Sequence, residues 1–302
     1  MALADASAFL EPPAAELPAE APPDIAAQKR MISLAANYLD QAIPKLPNFV
    51  ATRTTVHYEE NAQFYAGSTK VDYEPLHVAD TSRGTVIYRS GREVEDASES
   101  LRRRQKATDP YLTTYGTFGP ALGFVQDAIA LPNGMAWSHW EQGPGGVRAV
   151  FRYKIPAEKS HYVVMGCCLP DSDGTKGFQR QTTYHGEITI DPASGAVLRL
   201  KAESELQGFT LLDRSEIVVD YGPVEIGAKT YICPIKSVSL VRMRSVSSLM
   251  EWDESFRTYG PYLTMLNDIT YDGYHIFRGE TRLLTGFDPT HDGKDSDGSG
   301  KR

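Results

Sequence analysis

The chain has 302 residues, and 31 lysines and arginines against 39 aspartates and glutamates leave a formal net charge of −8. A nucleic-acid binder needs a basic footprint to displace counterions, and this balance supplies none. No run approaches the roughly 18 uninterrupted apolar residues of a membrane-spanning helix, while an apolar content of 41% suffices for a sizeable core in one large β domain or two smaller ones.

Residues 1–23 are rich in Ala, Pro and Glu, with Pro12-Pro13 and Pro22-Pro23. Such a stretch buries too little apolar surface to offset its ordering entropy, so disorder is expected. As written it is not a signal peptide, having neither a basic start nor a long apolar run. Asp24 is placed to cap a helix in which Met31, Leu34, Ala35, Tyr38, Leu39 and Ala42 recur at helical spacing, with Pro44 and Pro47 ending it. Its apolar stripe must dock on something.

Asn48 to Glu60 is rich in β-branched and aromatic residues and reads as a strand. Val71 to Arg92 reads as two or three more, turning at Arg83-Gly84 and Ser90-Gly91. Glu93 to Lys106, with Arg102-Arg103-Arg104, reads as a solvated charged face or loop. A second helix is predicted over Pro120 to Ala130, where Leu122, Val125 and Ile129 share a face that Phe118 and Phe124 widen. Met135–Glu141 and Gly146–Ile155 form a hairpin across Gly143–Gly146, and Lys159–Gly166 reads as another strand.

Tyr184 to Arg242 reads as two consecutive hairpins. In the first, Asp191-Pro192-Ala193-Ser194-Gly195 is a turn with each residue type in its favoured place, and Tyr184, Ile188 and Ile190 share one face of the incoming strand. The second turns at Ile226-Gly227-Ala228-Lys229, and Pro234 marks a strand start, a bulge or an edge. Ser245 to Pro261 fits helical or irregular packing, a last strand pair is expected around Asp272-Gly273, and the tail after Phe287 is expected to be disordered. The predicted fold is mainly β (α+β): a large curved antiparallel sheet or half-barrel covered by an N-terminal amphipathic helix and a middle helix. Residues 24–287 form its single domain, between disordered 1–23 and 288–302.

Motifs for chemistry are sparse. There is no G-x-S-x-G elbow, H-E-x-x-H pair or phosphate-binding Gly loop. His57, His77, His139, His161 and His185 are scattered singly. Asp171-Ser172-Asp173-Gly174 and Asp295-Ser296-Asp297-Gly298 echo the start of a calcium loop without its remaining ligands. No cofactor or metal is expected. Of the cysteines, Cys233 either bridges to Cys167 or Cys168, or all three are free thiols.

The pattern Tyr184 to Leu200 (YHGEITIDPASGAVLRL) resembles the strand–turn–strand of bacterial lipoprotein-carrier half-barrels of the LolA/LolB and RseB type. The stretches LPNFVATRT (46–54), GTFGPALGFV (116–125), IPAEKSHYVV (155–164), VDYGPVEIGAKTYICPIKSV (219–238) and YHIFRGETRL (274–283) also resemble a group of secreted bacterial proteins without an assigned activity. The carrier resemblance implies a non-enzymatic envelope protein, periplasmic or extracellular, that binds a lipid, a lipoprotein or another apolar ligand on a concave sheet face. Its partners would be an apolar small molecule, an acyl chain or an envelope protein. The missing leader leaves a cytoplasmic location open. Phe118, Leu122, Val125, Ile188 and Ile190 are the ligand-facing candidates. A structural or protein-interaction module with a solid core is the alternative. A hydrolase assembled from His139, His161 or His185 with acidic neighbours is a third reading.

Overall fold

The computed structural model describes Leu10 and residues 20–64, 71–94, 120–166, 178–251 and 254–277. Helix α1 (Ile25–Lys45) starts where Asp24 Oδ1 accepts the Ala27 N–H at 2.7 Å, and it carries Pro44 in its last turn. Strands β1 (Phe49–Phe64), β2 (Val71–Arg89) and β3 (Arg92–Val94) precede helix α2 (Pro120–Ala130). Then come β4 (Met135–Gly143), β5 (Gly146–Ile155), β6 (Val163–Gly166), β7 (Phe178–Gln181), β8 (Tyr184–Ile190), β9 (Val197–Ser204), β10 (Leu212–Ile226), β11 (Lys229–Glu251) and β12 (Glu254–Ile276).

Ten strands make one open antiparallel sheet of half-barrel type, in the order β3-β2-β1-β12-β11-β10-β9-β8-β5-β4, and β6 and β7 pair separately. The two hairpins from Tyr184 to Arg242 supply its middle. Gly195 and Gly227 take φ values of 75° and 68° at their turns, as only glycine does at low cost. Pro234 sits at a bulge opposite Asp220–Tyr221, where its missing N–H is tolerated in an interior strand.

Several sequence expectations are corrected. Arg83-Gly84 is no turn: β2 runs through it, because β1 pairs with it continuously at Arg53↔Gly84 and Thr54↔Arg83. Asp272-Gly273 is no turn either. Gly273 (φ 63°) lies within β12 at a bulge, where Gly273 and Tyr274 together face the single residue Ala51 of β1. The stretch 245–261 is neither helical nor irregular, since β11 and β12 continue through most of it as one long hairpin. Lys159 ends a 3-10 turn, and the strand begins only at Val163. Ladder partners distant in sequence decide these lengths, and local propensity does not see them.

Leu10, inside the stretch expected to be disordered, is buried at 3% exposure against Tyr58, Val218, Val238, Leu240 and Leu266. Its carbonyl accepts from Lys201 Nζ at 3.2 Å. Lys201 also pairs at 3.0 Å with Glu216, whose fully buried side chain meets Arg214 Nη2 at 2.6 Å. Val218 and Val219 alternate in β10, so this cluster lies on the face of the sheet opposite the helices.

Candidate functional site

The site is built on the helix-bearing face. Met31, Ala35 and Leu39 of α1 and Leu122, Val125 and Ala128 of α2 form one buried cluster with Phe151, Ile155, Ile188, Ile190, Leu200 and Val219 of the sheet. The two helices touch each other, and α2 also approaches β5 and β9. Of the ligand-facing candidates, Leu122 is 8% exposed and Val125, Ile188 and Ile190 are fully buried, so the structure brings these four together in a closed apolar layer. Phe118 lies outside the described residues.

Toward β11, β12, β1 and β2 the layer becomes aromatic. Phe49 stacks on Tyr88 at 4.9 Å, and Ala51, Val86, Ile269 and Tyr271 complete the cluster. Cys233 is buried there among Tyr38, Tyr88, Tyr221, Tyr271 and Tyr274. Its thiol is free, and burial pushes its pKa up to about 12, so it is no nucleophile at neutral pH. Cys167 and Cys168, the partners considered from the sequence, lie outside the described residues.

A row of buried polar side chains crosses the same face. Ser237 and Ser239 share the side of β11 that Val241 and Met243 present to the helix-side cluster. Ser239 stands opposite Asn267 of β12, which stands opposite His57 of β1. His57 Nδ1 donates to Asn267 Oδ1 at 2.7 Å, and its Nε2 lies 3.8 Å from Glu59. Ser237, opposite Val219 and Ile269, is fully buried, and its hydroxyl has no hydrogen-bond partner. Sequence reasoning missed this row. The available signal was two serines at inward positions of an otherwise apolar strand; nothing local links them to Asn267 or His57.

The scattered histidines make two constellations. Asp127 of α2 accepts from Tyr184 Oη at 2.9 Å and from the exposed His161 Nδ1, which lies 2.9 Å from both carboxylate oxygens. Burial and the Asp127 carboxylate push the Tyr184 pKa up, so its hydroxyl stays a donor, and the trio fastens α2 to the sheet. Ser138 Oγ lies 2.9 Å from His139 Nδ1 and donates to Glu187 at 3.3 Å. That order, with the carboxylate on the serine, is not the nucleophile–base–orienter order of a triad. His185 faces Glu203 and Glu205, and His77 faces Glu74.

Among the described residues no three or more His, Cys, Asp or Glu side chains gather around a point where a metal ion would fit. Both calcium-loop echoes lie outside those residues. A groove of about 490 Å³ runs beside α1, lined by Leu34, Asn37, Tyr38, Gln41, Lys45 and Ser194. Among the described residues no helix is long and apolar enough to cross a membrane. No protein family, no curated protein and no solved structure matches the chain.

Proposed function

We propose that the protein is a non-enzymatic binding protein of the cell envelope that takes an apolar ligand, an acyl chain or the lipid part of a lipoprotein, between its sheet and its helices. One observation carries this reading. Two helices far apart in the sequence both lie on the apolar face of an open sheet, and they contribute side-chain packing without joining its hydrogen-bonded ladders. Lifting α1 therefore breaks no ladder bond. It costs the burial of Met31, Ala35 and Leu39, on the order of 2 kcal/mol for each large side chain, and an acyl chain laid on Ile188 and Leu200 restores that burial. The carrier resemblance of Tyr184–Leu200 points the same way.

Solvent extraction of the purified chain followed by mass spectrometry tests this, together with binding of a fluorescent acyl probe. Retained or rebound acyl species are expected; a chain that neither carries nor binds them sinks the proposal. The second reading is a structural or protein-interaction module. It is favoured by the full burial of Val125, Ile188 and Ile190 against the chain's own helices, and the same experiment separates the two.

A further inference from the structure

We infer that Ser237, Ser239, Asn267 and His57 form the subsite for the head group of the ligand, and that this head is a neutral, hydroxyl- or ester-bearing one such as that of an acylglycerol. The inference rests on the acyl-binding reading above and names its polar end. An inward position in a central strand, flanked by Val219 and Ile269, favours an apolar residue. A serine there costs stability relative to alanine unless its hydroxyl is satisfied, and the Ser237 hydroxyl has no partner at zero exposure. A role in fixing strand register does not account for it, because an unpartnered group selects no register.

Three more buried polar side chains continue the row across β11, β12 and β1, on the face where Tyr38 of α1 lies near Tyr221 and Tyr271. One place on the face thus sets the unpartnered Ser237 hydroxyl beside further buried polar groups within an apolar surround, which is how a lipid site orients an amphiphile. Glu59 lies 3.8 Å from His57 Nε2 and opposes an anionic head. Arg53, the cation on the same side of β1, stands opposite Tyr271, away from Asn267, and is engaged in interactions of its own. All four side chains are buried, so the ligand reaches them only when the layer above them opens.

The test uses the full chain and two competitors of equal acyl length, a monoacylglycerol and the free fatty acid, displacing a fluorescent acyl probe. The wild type is expected to prefer the monoacylglycerol. In the Ser237→Ala/Ser239→Ala variant the ratio of the two affinities is expected to fall about tenfold, as for the loss of one or two hydrogen bonds. Ser237→Ala alone is expected to leave the thermal midpoint unchanged or raised, since it removes an unsatisfied hydroxyl. A wild-type preference for the fatty acid overturns the inference, and so does a ratio that survives in the double variant. A lowered midpoint in Ser237→Ala overturns it too, by showing that the hydroxyl is satisfied within the fold. A wild type that binds no acyl probe overturns the carrier reading itself, and the subsite falls with it.

Discussion

A Cβ placed on Gly195 would stand 2.3 Å from the carbonyl carbon of Leu34. The tip of the β8–β9 turn is thus pressed against the backbone of α1. Gly195 also carries φ 75°, so an L side chain meets both a strained backbone and a clash. Gly195→Ala is expected to destabilise the fold by about 2–4 kcal/mol, and to raise acyl-probe affinity if α1 is the lid. Denaturant titration reads the first effect and probe binding the second.

Asp127 fastens the other helix. Tyr184→Phe removes the buried donor to Asp127 while leaving His161 in place. A hydrogen bond to a charged acceptor is worth about 1.5–3 kcal/mol, so a loss in that range is expected in chemical denaturation. His161→Ala is expected to cost about 1 kcal/mol or less, because His161 is largely exposed and water screens the pair. Equal losses for both variants would show that Tyr184 is not the stronger fastening.

Alkaline pH is expected to unfold the protein by ionising buried groups of the aromatic layer and, at Tyr162, of the helix-side cluster. Burial raises Cys233 from an ordinary 9.0 to about 12, and Tyr38 and Tyr162 from 10.0 to about 12. The folded state therefore binds more protons than the unfolded one between these limits. Their stabilising contribution is full below about pH 9 and is lost as pH rises toward 12. Denaturation midpoints measured against pH are expected to be flat below that window and to fall within it. Cys233→Ala should remove the earliest part of the fall. Tyrosinate absorbance should rise together with the loss of structure.

On the opposite face, Leu10, Lys201 and Glu216 act as one unit. Leu10→Ala is expected to cost about 2 kcal/mol or more, as for a buried leucine. Glu216→Ala leaves Lys201 and Arg214 facing each other without their shared carboxylate. The cost is expected at about 2–3 kcal/mol, below that of a wholly buried pair because both cations are part-exposed. The double variant should lose less than the sum, since Lys201 joins the two residues, and a thermodynamic cycle of denaturation energies measures the shortfall.

Much of the architecture was legible in the sequence because it is local. Asp24 as a cap, Pro120 as a helix start, the Asp191–Gly195 turn and the alternation of Ile188 and Ile190 each depend on dihedral preference and on residues within one turn or one strand. From these follow a mainly β fold, the two helices and the central hairpins. They also place Leu122, Val125, Ile188 and Ile190 on apolar faces.

Only the tertiary structure decided what those faces meet. The sequence marks Arg83-Gly84 and Asp272-Gly273 as turns, yet β1 pairs with both β2 and β12 and draws each pair into a longer strand, because ladder bonds outweigh a local preference for turning. His57 and Asn267 are 210 positions apart, and Lys201 and Leu10 are 191 apart. Inward parity can be read strand by strand, but which inward positions stand side by side depends on register and strand order, set when distant segments pair. The apolar layer was therefore foreseeable, while the polar row within it and the seat of Leu10 on the opposite face exist only once the sheet has formed.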